Sequence, residues 1–264
     1  MADPKVSMIA AIKHFLTHHP EIAPEIELFA ARQQGRSDQD FLNFAEWKQY
    51  ENLSTQQVFE KIYEKGEWGK SGSQDAAYYS GLGSHDPAMI DAYVASVATF
   101  LQSLGHKPTA VDIGCGDFNV GSKLRGYCSR YTAVDIASPV IAFNKTRFAD
   151  ADVDFAVLNV IEEKPPRADV IFIRQVLQHL SNSEITRALA NIAGQCDHFI
   201  VTEHLPEGEF TPNLNKTTGR SIRLRHGSGV VISEPPFSFA FREQKVLCEV
   251  PGPGGVIRTT LYSM

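Results

Sequence analysis

The chain has 264 residues, of which 43% are hydrophobic and 21% are charged, which is typical of a globular protein and excludes a disordered, fibrous or membrane-spanning chain. Its formal net charge of −6 disfavours a broad phosphate-binding face, so we expect no nucleic-acid partner. The four cysteines have neither CxxC nor Cys/His ligand spacing, so we expect reduced thiols and no structural metal. The sequence shows no secretory signal and no uncharged apolar run of about 18 residues, which favours a cytoplasmic protein without a membrane partner.

Residues 1–85 are predicted to form a helical extension. Apolar residues recur at helical spacing over residues 9–16, and Ser54 forms a capping box with Gln57 that opens a helix over residues 58–63. We expect this extension to pack on a larger domain rather than to form a core of its own.

A glycine-rich loop closes the extension. Five glycines lie between residues 66 and 83, and the same stretch carries Trp68, Tyr78 and Tyr79. This composition suits a lid over a site, but it also suits a simple connector, and the sequence does not decide between them. The aromatic residues likewise suit either the wall of a binding site or packing of the extension.

Residues 86–264 are predicted to form one α/β domain. A long helix opens with Asp86 at the N-cap and Pro87 at the first helical position, and it stops at Gly105. The predicted strands cover residues 109–113, 131–136, 153–160, 169–173, 199–202, 238–250 and 256–263, with further helices opening at Ser138 and at a capping box of Ser181 and Glu184. The alternation indicates a parallel sheet covered by helices on both faces, and the last two strands are predicted to form an antiparallel hairpin.

The loop after the first strand of this domain carries the chemistry. In the segment 111–121, Gly114 and Gly116 let the backbone approach a ligand where a strand runs into a helix. Asp135 ends the next strand about 20 residues later, where nucleotide sites place an acid that accepts hydrogen bonds from ribose hydroxyls. The spacing therefore predicts a site for a cofactor that contains a nucleoside, the alternative being a solvated Asp at a strand end.

Phosphate chemistry separates two cofactor classes that could use this loop. A dinucleotide fingerprint needs a third glycine, but that position holds Asn119, and Asp117 places negative charge where a pyrophosphate would lie. Both features count against an NAD-dependent oxidoreductase. A sulfonium cofactor carries no phosphate and is positively charged, so it tolerates Asp112 and Asp117 nearby.

The segment Asp112-Ile-Gly-Cys-Gly-Asp117 resembles the first motif of class I S-adenosylmethionine-dependent methyltransferases, and the similarity runs from about residue 86 to the end. The resemblance implies a doubly wound, mostly parallel seven-stranded sheet of the Rossmann-like type with one antiparallel strand near the end. It also implies S-adenosylmethionine as the cofactor and S-adenosylhomocysteine as the product. The implied cofactor-binding residues are Asp112, Gly114, Gly116, Asp117, Asp135, Asn159, Val160, Arg174 and Gln175.

Asn159 departs from the family's pattern, because the family usually has an acid at this position beside the adenine. An Asn side chain can still accept a hydrogen bond from the adenine amine through its carbonyl oxygen. Residues 62–69 and 80–84 more loosely resemble methyltransferases found with polysaccharide and small-molecule biosynthesis. This second resemblance implies a sugar or a related metabolite as the acceptor.

His204 is the first candidate for a general base. It follows a predicted strand at the sheet edge where open α/β folds bind ligands, and a neutral imidazole can accept a proton near pH 7. A purely local packing role for His204 stays open. His179 is a second candidate, although its amphipathic surroundings favour a structural role. The Asn, Thr and Arg residues of the segment 212–225 suit a polar or anionic acceptor, or else a solvated loop.

The sequence therefore predicts a methyltransferase that moves a methyl group from S-adenosylmethionine to a polar small molecule, with O-methylation assisted by His204. The alternative is a non-catalytic protein of the same fold that binds S-adenosylmethionine or a partner. We expect no metal in the site, and a homodimer is left open as the assembly.

Overall fold

Seven strands in the described part of the chain form a single sheet. The computed structural model describes residues 47–70 and 77–264, so the helix predicted at residues 9–16 lies outside the described residues. The strands are β1 (Thr109–Ile113), β2 (Arg130–Asp135), β3 (Asp154–Val157), β4 (Ala168–Arg174), β5 (Cys196–Leu205), β6 (Glu243–Gly252) and β7 (Gly255–Ser263).

The strand order is β3-β2-β1-β4-β5-β7-β6, so the direction in which strands are added reverses between β1 and β4. Strands β1 to β5 pair in parallel, whereas β7 runs antiparallel to both β5 and β6. This arrangement confirms the predicted doubly wound, mostly parallel sheet with an antiparallel C-terminal hairpin.

The helices begin where the sequence places their caps. They are α1 (Thr55–Lys65), α2 (Pro87–Ser103), α3 (Gly121–Leu124), α4 (Ser138–Arg147) and α5 (Asn182–Ile192), with 3-10 turns at Leu82–Ser84, Arg125–Tyr127, Leu177–His179 and Arg223–His226. Both predicted capping boxes form, one at Ser54 and one at Ser181, and Asp86 accepts a hydrogen bond from the Ala88 N–H at 2.9 Å. No helix in the described ranges is long and apolar enough to cross a membrane.

The sheet buries one apolar layer on each face, because successive side chains of a strand point to opposite sides. Val111 and Ile171 belong to the layer that includes residues of α5, whereas Ala110 and Val170 belong to the layer that includes residues of α2. Helix α1 joins the first layer through Ile62, so the described end of the extension shares a core with the sheet. The domain boundary at residue 85 stays a prediction.

Two glutamates hold α1 against the sheet. Glu60 Oε1 accepts hydrogen bonds from the Ser138 backbone N–H at 3.2 Å and hydroxyl at 2.6 Å, at the start of α4. Glu184, at the start of α5, accepts a hydrogen bond from Thr55 Oγ1 at 2.6 Å. In a parallel sheet these helix starts follow the carboxyl ends of strands, so α1 lies over that edge of the sheet.

The largest differences from the predicted strand boundaries lie in β3, β5 and β6. Strand β3 ends earlier, because Asn159 Oδ1 accepts a hydrogen bond from the Ile161 N–H at 3.1 Å and forms a turn. Strand β6 starts later than predicted, at Glu243. Strand β5 continues through His204 to Leu205, since it pairs with β7 along this length. His204 therefore lies within a strand rather than directly after one.

Candidate functional site

A cleft of about 410 Å³ opens at the carboxyl ends of β1 to β4. It lies where the strand order reverses, which is where open α/β sheets bind ligands. The strand ends and the loops after them form its floor, and α1 with the segment 80–84 forms its cover. The predicted site residues that line it are Gly114, Gly116, Asp135, Asn159, Val160, Arg174, Gln175 and His204. The fold thus brings eight of the predicted residues to one cleft.

The two glycines of the loop after β1 are required by both conformation and space. Gly114 has φ 70° and Gly116 has φ 54°, in the left-handed region. A Cβ at Gly114 would lie 2.3 Å from Val176 Cγ2, and a Cβ at Gly116 would lie 2.3 Å from Ser80 Oγ. The backbone of the loop is therefore in direct contact with the segment that covers the cleft.

Replacing Gly116 with alanine should lower the free energy of unfolding by about 1–3 kcal/mol, because the new Cβ both strains the backbone and displaces Ser80. Ser80 Oγ accepts a hydrogen bond from the Asp117 N–H at 2.9 Å, which this displacement would break. Urea unfolding measures the change. Gly126→Ala is the control, since a Cβ there meets no atom within 4 Å. Equal stability losses in both variants would contradict the described packing.

Asp135 presents a buried carboxylate to the cleft. Its Oδ2 accepts a hydrogen bond from the Gly116 N–H at 3.0 Å, and its Oδ1 accepts one from the Ala137 N–H at 2.9 Å. Burial raises its pKa, while these backbone donors oppose the shift. Each carboxylate oxygen has a second lone pair, so Asp135 can accept further hydrogen bonds from a ligand.

Arg174 and Gln175 connect the floor of the cleft to its cover. Arg174 Nη2 donates to the Gly83 carbonyl at 2.7 Å, and its Nη1 donates to Gln175 Oε1 at 3.0 Å. The guanidinium group lies 5.0 Å from the ring centre of Tyr93. Gln175 has φ 55°, a conformation that costs about 1–3 kcal/mol outside glycine.

Asp112 and Asp117 lie outside this cleft, in the lining of a smaller cavity beside it. Asp112 Oδ2 accepts a hydrogen bond from the Tyr131 hydroxyl at 3.0 Å, and burial raises the pKa of Asp112 to about 6. Asp117 Oδ2 accepts a hydrogen bond from the Ser80 N–H at 3.1 Å and lies 2.6 Å from His85 Nε2. Asp117 thus holds the covering segment on the glycine loop, and the cofactor-binding role of both acids stays a prediction.

His204 lines the cleft from β5. Its Nε2 atom is buried and has no hydrogen-bond partner among the described residues. Burial lowers the pKa of His204 below its usual value, so the ring is neutral at pH 7 and can accept a proton. A Cβ at Gly252 would lie 2.8 Å from this Nε2, so the glycine of β6 leaves room for the imidazole.

Residues 111–196 match a family model described as a methyltransferase domain. This part of the chain is therefore similar to a methyltransferase domain. The matched range begins in β1, includes both glycines and Asp135, and ends at the start of β5. The resemblance seen in the segment 112–117 is thereby confirmed.

Curated proteins similar to part of this chain are named as uncharacterized methyltransferases. Uncharacterized methyltransferases of Mycobacterium tuberculosis and Mycobacterium bovis are 30% identical to the chain over 112 residues, which cover 42% of the chain and 51% of each relative. The chain therefore spans about half the length of the curated relatives it matches.

Solved methyltransferases share the fold. The N-methyltransferase NodS of Bradyrhizobium japonicum, in complex with S-adenosylhomocysteine, has a TM-score of 0.55 and 15% identity, covering 76% of this chain and 98% of NodS. Magnesium protoporphyrin IX methyltransferase of Synechocystis, with bound S-adenosylmethionine, has a TM-score of 0.53 and 12% identity, with 81% and 99% covered. Human N-acetylserotonin methyltransferase with S-adenosylmethionine has a TM-score of 0.52 and 19% identity, with 80% and 60% covered.

One side of the cleft carries four rings, which we call the aromatic wall: Phe59, Tyr63, Trp68 and His179. The Trp68 ring centre lies 5.0 Å from that of Tyr63, 5.1 Å from that of His179 and 6.1 Å from that of Phe59. Burial lowers the pKa of His179 to about 3, so its ring is neutral. Of the other predicted wall residues, Tyr78 packs on Phe143 and Tyr79 on His85, and neither lines the cleft.

The loop after β5 adds two arginines to the cleft, Arg220 and Arg225. Arg220 Nε lies 3.7 Å from Glu67 Oε2, a loose ion pair. Arg223 is instead buried and donates to the carbonyls of Leu177, Gln178 and Leu180, which fixes the turn that carries His179. In residues 47–70 and 77–264, no three His, Cys, Asp or Glu side chains form a group that could hold a metal ion.

Glu203 precedes His204 in β5, and successive side chains of a strand point to opposite faces of the sheet. Its Oε1 accepts a hydrogen bond from the Leu177 N–H at 3.1 Å, and Oε2 is buried without a partner in the described ranges. Burial raises the pKa of Glu203 to about 8, an effect that the nearby Arg223 opposes. Glu203 therefore carries a proton at neutral pH.

Replacing Glu203 with glutamine should flatten the pH dependence of stability. Between about pH 5 and 8 the folded protein keeps a proton that the unfolded chain loses, so stability falls as pH rises, by up to about 1.4 kcal/mol per pH unit. Glutamine does not titrate, so this contribution disappears. Urea unfolding at several pH values in this window measures both slopes. Equal slopes would contradict a buried, protonated Glu203.

Sequence reasoning did not name Phe59, Tyr63 or Ser80 as site residues. Thr55, Phe59 and Tyr63 recur every four residues on α1 and all line the cleft, so helical spacing was a usable signal. Ser80 contacts a loop that lies 37 residues away in sequence, and no local pattern reveals that contact.

Proposed function

We propose that this chain is an S-adenosylmethionine-dependent methyltransferase that methylates a hydroxyl group of a polar small molecule. The observation that supports it best is one cleft, at the reversal of strand order, that holds the two glycines, Asp135 and His204 together. The fold shared with methyltransferases that were solved with S-adenosylmethionine or S-adenosylhomocysteine adds support.

The residues of the cleft fit this cofactor. Asp135 retains lone pairs for ribose hydroxyls. Asn159 Oδ1 accepts a hydrogen bond from the Ile161 N–H and keeps a second lone pair for the adenine amine. Gly114 and Gly116 allow close backbone approach, while Arg174 and Gln175 would border the methyl-donor end. When bound, S-adenosylmethionine supplies a methyl group on a cationic sulfur.

His204 is proposed as the general base. As the acceptor oxygen gains the methyl group, it has to lose its proton. The imidazole of His204 is neutral and its Nε2 has no partner among the described residues, so this nitrogen can accept that proton. The neighbouring structures do not decide the methylated atom, since their names include an N-methyltransferase and a porphyrin methyltransferase. The sugar-type acceptor predicted from the sequence stays a prediction.

The cover of the cleft is proposed to act as a lid that excludes water during transfer. Hydrogen bonds that hold residues 80–85 over the cleft support this proposal. Arg174 and Asn119 donate to backbone carbonyls of this segment, and Asp117 accepts from its backbone. The extension over residues 1–85 would then belong to the catalytic unit. A cytoplasmic location and a homodimer stay predictions.

Methyl turnover tests the proposal. The purified chain is incubated with methyl-labelled S-adenosylmethionine and a panel of hydroxylated metabolites, and we expect label in a product together with formation of S-adenosylhomocysteine. Binding of S-adenosylhomocysteine without transfer to any member of a broad panel would favour the non-catalytic alternative.

A further inference from the structure

We infer that the acceptor is a hydroxylated aromatic carboxylate, a flat ring bearing an anionic group, held between the aromatic wall and the arginines of the loop after β5. The inference rests on the proposed function, because it names the second reactant of the same cleft. Three features carry it: the ring surfaces, a buried indole N–H and the sign of the charge around the cleft.

The aromatic wall offers flat apolar surface on the cover side of the cleft. Its rings come from three places in the chain, α1, the turn after it and the turn after β4, and they contact one another around Trp68. Offset or edge-to-face packing of a further ring on such a surface contributes beyond the area it buries. A planar aromatic acceptor matches this surface.

Trp68, which lines the cleft, also carries a polar atom without a partner among the described residues. Its Nε1 atom is buried and has no hydrogen-bond partner in the ranges that the structure describes. An indole N–H can only donate, so its partner has to be an acceptor atom such as a carboxylate oxygen. A buried donor left without one is costly, and a ligand oxygen would satisfy it.

The charges that line the cleft favour an anion. Among the described residues, the cleft is lined by three arginines, Arg174, Arg220 and Arg225, and by one acidic residue, Asp135. Asp135 lies at the end proposed for ribose and Arg174 at the methyl-donor end, so Arg220 and Arg225 give the acceptor side its positive charge. Glu67, the partner of Arg220, already accepts hydrogen bonds from Tyr50 and Gln49 at 2.8 Å each, which leaves Arg220 donors for a ligand.

Other acceptor classes fit less well. The aromatic rings would attract an acceptor that carries an ammonium group, but the neighbouring arginines repel its positive charge. A sugar could lie on Trp68, yet its many hydroxyls need more hydrogen-bonding partners than the apolar wall supplies. Both remain as outcomes of the experiment.

Calorimetric titrations of the full chain, with S-adenosylhomocysteine present, separate these classes. The probes are 4-hydroxybenzoate, cyclohexanecarboxylate, 4-hydroxybenzylamine and glucuronate. We expect 4-hydroxybenzoate to bind at least about tenfold more tightly than each of the others. Trp68→Phe keeps a ring but removes the N–H, and should weaken 4-hydroxybenzoate by about tenfold.

Two further variants keep the test decisive. Arg220→Gln should also weaken the binding of 4-hydroxybenzoate by about tenfold. Because the Arg220 side chain is partly exposed, this variant can replace Trp68→Phe in the test if Trp68→Phe does not fold. Trp47→Phe changes the other tryptophan, which is 40% exposed and outside the cleft, and should leave binding unchanged.

The outcomes are distinct. Tenfold preference for 4-hydroxybenzoate, reduced in Trp68→Phe or Arg220→Gln, supports the inference. If S-adenosylhomocysteine binds but the amine or the sugar acid binds as tightly, the inference is overturned and the proposed function stands. If S-adenosylhomocysteine does not bind, the proposed function fails and the inference fails with it.

Discussion

Replacing Asp135 with alanine should weaken S-adenosylhomocysteine binding at least about a hundredfold. Hydrogen bonds from two ribose hydroxyls to a buried carboxylate contribute about 1.5–3 kcal/mol each, and a hundredfold loss corresponds to about 2.7 kcal/mol. The carboxylate also fixes the Gly116 N–H at 3.0 Å, so its loss loosens the glycine loop as well. Isothermal calorimetry measures the affinity.

Two comparisons separate binding from folding in this test. Asp154→Ala removes an exposed acid at the opposite end of the neighbouring strand β3 and should leave the affinity unchanged. Urea unfolding of Asp135→Ala shows whether the variant is folded under the conditions of the titration. A folded Asp135→Ala variant with wild-type affinity would remove Asp135 from the ribose role.

His204→Ala should lower kcat by about 10²–10⁴-fold while leaving the affinity for S-adenosylhomocysteine within about twofold. The first effect follows from loss of the proton acceptor, and the second from the location of His204 on β5, away from the glycine loop. Because burial lowers the pKa of His204, the wild-type enzyme should keep its activity below pH 6.5, where an ordinary histidine is protonated.

A matched variant checks that the effect is local. His198→Ala changes another histidine of β5, which packs on Phe100 and does not line the cleft, so kcat should stay within a few fold of wild type. Retained activity in His204→Ala would assign proton removal to another group. His179 would then be the next candidate, since it also lines the cleft.

The fold could be predicted from the sequence because its signals are local. Capping boxes at Ser54 and Ser181 set the starts of two helices, and apolar runs set β1 and β4 within a residue or two. Where the prediction failed, distant contacts decided the outcome. Strand β5 extends past residue 202 because β7, some 50 residues later, pairs with it. A single segment does not contain that information.

The floor of the cleft was predictable, whereas its cover was not. Gly114, Gly116 and Asp135 come from two adjacent β-α connections whose spacing is fixed by the fold, so a short motif places them together. The resemblance implies a cofactor role for Asp117, which stays a prediction, and the structure adds contacts of its carboxylate with Ser80 and His85. Those contacts come from an upstream segment that carries no periodic pattern, and only the folded chain shows them.

The most direct test of whether this cleft binds S-adenosylmethionine is a calorimetric titration of the wild-type chain with S-adenosylhomocysteine. We predict saturable binding of one molecule per chain, together with a rise in Tm that grows with ligand concentration. Absence of both binding heat and stabilisation, in a chain shown to be folded, would contradict it.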